Sequence, residues 1–121
     1  MKTIILDMDN CISNDEWRVP HIDWEATNPV ERYHNYHMLA AFDECCNIDN
    51  ISEIYKGEEV QIVIFTARPL FYHASTVEWL KRNNINPHLL YMRNNVDHSH
   101  SRELKRQFLL RLVNNEGIKP E

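Results

Sequence analysis

Residues 3–11 read TIILDMDNC, and this stretch decides the fold. Thr3-Ile4-Ile5-Leu6 is a β-forming apolar run too short for a helix, so it predicts a strand over residues 2–7. The run ends in two acids one residue apart, Asp7 and Asp9. Alternate residues of an extended chain point to the same side. Two carboxylates so close repel each other unless a cation intervenes. A hard cation such as Mg²⁺ meets that need with one or two carboxylates, waters and phosphate oxygens. The pair can also divide work, one carboxylate attacking and the other moving protons. The plainer alternative is a pair of acids that solvates a strand end.

The rest of the chain places this strand in a sheet. VQIVIF at 60–65 is a second strand, and HLLYM at 88–92 a third. Pro69 is expected to open a helix reaching about Asn83, with Ala74, Val77 and Leu80 inward. After the third strand, Ser99 or Ser101 caps a helix through Leu104, Phe108 and Leu112 that stops near Gly117. Residues 12–30 have no clear period. A helix is expected over 31–46, with Leu39, Phe42 and Cys46 inward. A further helix carries Ile48, Ile51 and Tyr55 and ends at Gly57. Strands alternating with helices predict an α/β fold, a three-layer Rossmann-like parallel sheet with right-handed crossovers. Residues 1–121 read as one domain, with 12–48 a small helical insertion after the first strand. Ligands of such sheets sit at the carboxyl ends of the strands. Here those ends carry Asp7 and Asp9, then Thr66-Ala67-Arg68, then Arg93.

The composition is that of an ordinary water-soluble chain, with 26% charged and 43% hydrophobic residues. No apolar run approaches the ~20 residues that cross a bilayer, so no membrane association is expected. The start reads directly into a strand without a signal-peptide pattern. Three cysteines, two of them adjacent, make a poor disulfide framework. A reduced, cytoplasmic setting is therefore predicted. A net charge of −5 argues against a general nucleic-acid coat. Residues 13–58 hold ten acids against three bases, whereas Arg93, Arg102, Lys105, Arg106 and Arg111 outnumber Asp97 and Glu103 in 93–111. A local positive segment in an acidic chain suits a small anion, or is a solvated helix face.

ILDMDN after one strand, VIFTAR at the end of another and a lysine in SRELKRQFLLRL together resemble the haloacid dehalogenase (HAD) phosphohydrolases. LLYMRNNVDHSHSRELKRQFL resembles the 3′-phosphatase domain of bacteriophage polynucleotide kinases. The resemblance implies a Mg²⁺-dependent phosphatase acting on a phosphorylated nucleotide or nucleic-acid 3′ end. Asp7 would be the nucleophile and a Mg²⁺ ligand. Asp9 would be the general acid/base and hold the metal through its carbonyl. Thr66 would bind a phosphoryl oxygen, and Lys105 would neutralise charge. Arg68, Arg93 and Arg102 would grip substrate at the rim, and a phage source would mean the host cytoplasm. Asn10 stands where the family has glycine, and Cys11 where it has threonine. The family's fourth, acidic motif is absent, so the chain reads as ending before that strand. Its loss implies an open edge on the first strand. That edge could pair with a second copy in a two-fold homodimer, the favoured outcome, be covered by Ile118 to Glu121, or be offered to a different protein. The alternative function is a shortened domain that binds a protein or nucleotide without catalysis.

Other residues carry weaker signals. His34 and His37, with Tyr33 and Tyr36, share a helix face. They lack the further ligands of a zinc site and read as a lid over the acids. Trp17, Trp24 and the tyrosines either stack a base or pack the insertion. His98 and His100 assist phosphate binding or are plain loop residues. Cys45 and Cys46 read as helix core.

Overall fold

The computed structural model describes residues 2–117. Strands β1 (Lys2–Leu6), β2 (Val60–Pro69) and β3 (Leu89–Arg93) pair in parallel in the order β1-β2-β3. Lys2 faces Val60 and Leu6 faces Ile64, and Val63 faces Leu89. The helices are α1 (Pro29–Met38), α2 (Ile48–Ile54), α3 (His73–Arg82) and α4 (Ser101–Glu116). Two apolar cores lie on opposite faces of the sheet. One joins Leu6, Met8, Ile12 and Ile64 to Trp79 and Leu80 of α3. The other joins Val63, Phe65 and Tyr91 to Leu104, Phe108 and Leu112 of α4. Successive β2 residues thus serve opposite cores, which is why IVIF at 62–65 is apolar without a break. This is the expected Rossmann-like α/β arrangement. Among the described residues, no helix is long and apolar enough to cross a membrane.

Several local expectations need correction. β2 runs on through Thr66, Ala67 and Arg68, so Pro69 ends a strand instead of opening a helix. Pro69 is extended (φ −63°, ψ 149°), and a short 3₁₀ turn at Leu70–Tyr72 precedes α3. The buried face of α3 is Thr76, Trp79 and Leu80, while Ala74 is exposed and Val77 half-buried. Trp79 sets that face, since its indole donates to the Asp43 carbonyl at 2.9 Å inside the core.

The single helix expected over 31–46 is instead α1 followed by a 3₁₀ turn at Leu39–Phe42. Pro29 begins α1, and the Asn28 side chain accepts from Glu31 N–H at 2.9 Å, a pairing that suits both residues. Where α1 gives way to this turn, Arg18 Nη1 donates to the Tyr36 carbonyl at 3.1 Å, and Phe42 is 74% exposed. Cys45 and Cys46 lie beyond any helix, and Cys45 bridges Ser13.

The stops are as expected. Asn84 and Gly57 adopt positive φ after α3 and α2, and Gly117 caps α4 in the left-handed conformation. Among the described residues no strand pairs with the outer edge of β1. The alternative cover, Ile118 to Glu121, lies outside them.

Candidate functional site

β1 ends at Leu6, and the chain then turns tightly on itself. Cys11, Ile12 and Ser13 N–H groups all donate to the Met8 carbonyl at 2.9–3.1 Å. Asn10 takes φ 61° in this turn, a conformation asparagine enters more readily than most residues. Cys11 cannot tie the loop through a hydroxyl. Its carbonyl does so, accepting from Asn47 Nδ2 at 2.7 Å and from Cys46 Sγ at 3.1 Å.

The turn sends the two acids into different surroundings. Asp7 stays half-exposed, accepting from Met8 N–H at 2.8 Å and from Lys105 Nζ at 2.9 Å. Asp9 points into a buried network. Arg68 Nη2 donates to its Oδ1 at 2.7 Å, and Arg18 Nη2 donates to the same oxygen. Arg18 also reaches Asp43 at 2.7 and 2.8 Å, and Asp43 accepts from Ser13 at 2.5 Å and Trp17 Nε1 at 2.8 Å. Burial alone would raise the Asp9 pKa. The charges and hydrogen bonds of Arg68 and Arg18 outweigh it and hold the carboxyl below its ordinary value.

Both acids line a cleft of about 900 Å³ above the carboxyl ends of the strands. Ser99, His100 and Ser101 bring the start of α4 to it, and α1 contributes Arg32, Tyr33, His34, Tyr36 and His37. His100 caps α4, its Nδ1 accepting from Arg102 N–H at 3.1 Å, so neither Ser99 nor Ser101 is the cap. A helix N-terminus beside a lysine attracts anions. α1 and the two acids line the same cleft.

The expected site residues therefore divide. Asp7, Asp9, Arg93 and Lys105 line the cleft together. Arg93 also braces it, donating to the carbonyls of Ala67 at 3.0 Å, Asp97 at 3.0 Å and Ser99 at 2.7 Å. Thr66 is fully buried, and its hydroxyl accepts from Arg68 N–H at 3.2 Å. Arg68 is not at the rim. It is buried because its guanidinium is committed to Asp9, Ser13 and Thr76. Arg102 is exposed and does not line the cleft. Trp17 is fixed by Asp43, and Trp24 packs edge-on to Tyr33 outside the cleft lining. The sequence reading missed Arg18, Arg32, Phe71 and Tyr72. Arg18 had one signal, a base within an acidic segment.

Both acids face side-chain cations. Arginines neutralise Asp9, and a lysine neutralises Asp7. No group of three or more His, Cys, Asp or Glu residues among those described is arranged to hold a metal ion. Mg²⁺ still fits in the mode that needs one carboxylate and a phosphate ligand, with Asp7 the available carboxylate.

Solved structures share the fold. Chains in "Structure of the Pnkp1/Rnl/Hen1 RNA repair complex" and "Structure of Pnkp1/Rnl/Hen1 complex" superpose with TM-scores of 0.64 and 0.65, each at 19% identity. Each alignment covers 90% of this chain, which spans only 30% and 33% of theirs. No curated protein matches. The family described as PITM 1–3, LNS2 domain matches residues 43–120, a span that holds Thr66, Arg68, Arg93 and Lys105 but neither acid of the pair. With well over half its length so matched, the chain belongs to the LNS2 domain family.

Proposed function

We propose that this chain is a phosphoryl-handling domain of the haloacid dehalogenase type, a phosphatase acting on a phosphorylated nucleotide or nucleic-acid 3′ end. The observation that carries this is the Asp7–Lys105 contact of 2.9 Å, half-exposed on the cleft beside the start of α4. An Asp7 carboxylate oxygen attacks phosphorus as the bond to the leaving oxygen breaks. Water then hydrolyses the aspartyl-phosphate. Lys105, the α4 N-terminus and Arg93 offset the phosphoryl charge, the dominant need in such transfers. Mg²⁺, held by Asp7 and the phosphate, supplies further charge neutralisation when bound. The leaving oxygen needs a proton, and Asp9 carries one only after separating from an arginine. Likeness in fold to proteins of an RNA repair complex supports the choice of nucleic-acid ends. So do Arg93 and His98 on the cleft.

One observation favours a second reading, a phosphate-binding module without turnover. Asp9 is ion-paired twice and only 19% exposed, so the proton donor is withheld. Aryl phosphate turnover, read with the mass of the intact chain, separates the two. Phenol release that is lost in Asp7→Asn supports the phosphatase. Phosphate binding with no release and no 80-dalton adduct supports the module.

The outer β1 edge, unpaired among the described residues, gives the assembly we propose. β1 pairs antiparallel with its copy about a two-fold axis, extending the sheet. Light scattering at high micromolar concentration tests this, and a monomer would rule it out.

A further inference from the structure

Among the described residues, two buried side-chain nitrogens have no hydrogen-bond partner: Arg32 Nε and His37 Nδ1. Both belong to α1, and both residues line the cleft. Buried polar groups are almost always paired, so two orphans on one cleft wall call for a ligand that pairs them. The surroundings narrow its chemistry. The His37 ring is 4.9 Å from Tyr72 and 5.2 Å from Tyr36, centroid to centroid. Phe71, also on the cleft, is 69% exposed and stands 5.1 Å from Tyr72. An exposed ring beside unpaired nitrogens suits a flat ligand with a hydrogen-bonding edge. An alkyl chain would leave the nitrogens unpaired, and a sugar would offer Phe71 only C–H contacts where a base offers a π face. Burial pushes His37 down to about 4. It is therefore neutral at pH 7, and its orphaned nitrogen suits a neutral polar edge better than a second anion.

We propose that the α1 wall of the cleft is a nucleobase subsite. The base lies against Phe71, its polar edge meets His37 Nδ1 and Arg32 Nε, and its phosphate reaches Lys105 and the start of α4. This rests on the phosphoryl reading above and names the part of the substrate that the reading leaves open. Arg32 Nε donates, so a base with a carbonyl on that edge is preferred.

The test is calorimetric binding of guanosine 3′-monophosphate, ribose 5-phosphate and inorganic phosphate to the whole chain without metal. The nucleotide is expected to bind about tenfold tighter than ribose 5-phosphate, the scale of one base stacked on an aromatic ring. Phe71→Ala, a change at an exposed position, is expected to erase that advantage and leave inorganic phosphate within about twofold. His37→Phe keeps the ring packing and is expected to lower nucleotide affinity about fivefold. Equal binding of nucleotide and ribose 5-phosphate overturns the subsite while the phosphate site stands. Equal weakening of all three ligands by Phe71→Ala does the same. Failure of inorganic phosphate itself to bind overturns the phosphoryl reading, and the subsite with it.

Discussion

Asp7 and Asp9 stand one residue apart, each facing cations, yet the two charge clusters differ in kind. The Asp7–Lys105 pair leaves its side chains 40% and 33% exposed. In the Asp9–Arg18–Arg68–Asp43 cluster the arginines and Asp43 are 0–2% exposed, and Asp9 is 19%. An exposed pair is held weakly, about 0–1 kcal/mol, and can exchange its partner for a ligand. A buried cluster has given up its water and depends on every member. The same D-x-D thus supplies one group open to chemistry and one that fastens the insertion to the sheet. Met8 divides them, fully buried between the acids.

Four substitutions strain that contrast, and the largest effect is expected at the open pair. Asp7→Asn should lower aryl phosphate turnover by 10³-fold or more, on the order of 4 kcal/mol of barrier, and leave the melting temperature almost unchanged. Turnover at the parent rate would remove Asp7 from the chemistry. Next, Arg18→Met should cost about 3–5 kcal/mol in urea unfolding, because Asp43 is left buried without its main partner. A loss below about 1 kcal/mol would mean the cluster is not the fastening.

The third effect depends on pH. His37 titrates near 4 when folded and near 6.5 by ordinary chemistry, so only the unfolded chain takes up this proton at intermediate pH. Stability should fall as pH drops from 6.5 to 4, by up to about 3 kcal/mol, and His37→Phe should flatten that slope. Asp9 acts lower. Its depressed pKa adds stability that is full above the ordinary carboxylate value and lost as pH falls through the folded one. The smallest effect on stability belongs to Lys105→Met, under about 1 kcal/mol, since its pair is exposed. Its effect on phosphate affinity should be plain by calorimetry, about tenfold or more.

Much of this was readable in one dimension. The strands announced themselves as short apolar runs, and Leu104, Phe108 and Leu112 recur at helical spacing and face one core. Asp7 was placed at the site by the rule that sites gather at strand ends and Lys105 by the resemblance to the haloacid dehalogenase motifs, and the two meet although 98 residues apart. The buried cluster was not readable. Arg18 lies in a segment without periodicity, 25 residues from Asp43, and no local spacing signals a pair formed by tertiary packing. The helical pattern through Phe42 also misled, since the chain tightens into a 3₁₀ turn at Leu39–Phe42 where Arg18, a contact no spacing signals, reaches the Tyr36 carbonyl. On α3, Ala74 and Val77 fit a periodic face, but the bulk of Trp79 decides which way the helix turns. Arg68 looked like a rim residue because it follows a strand end. That strand in fact continues to Pro69.

The pairing of β1 with β2 also bears on how the chain folds. Leu6 meets Ile64, so everything between them is looped out before this contact forms. β2, α3, β3 and α4 follow one another through short connections and can assemble with little loop-closure entropy. β1 is expected to dock last onto that platform. Asp7 therefore reaches Lys105 only in the closing step of folding. A chain stalled before it would present the lysine and the start of α4 without the carboxylate, able to hold an anion but not to attack one.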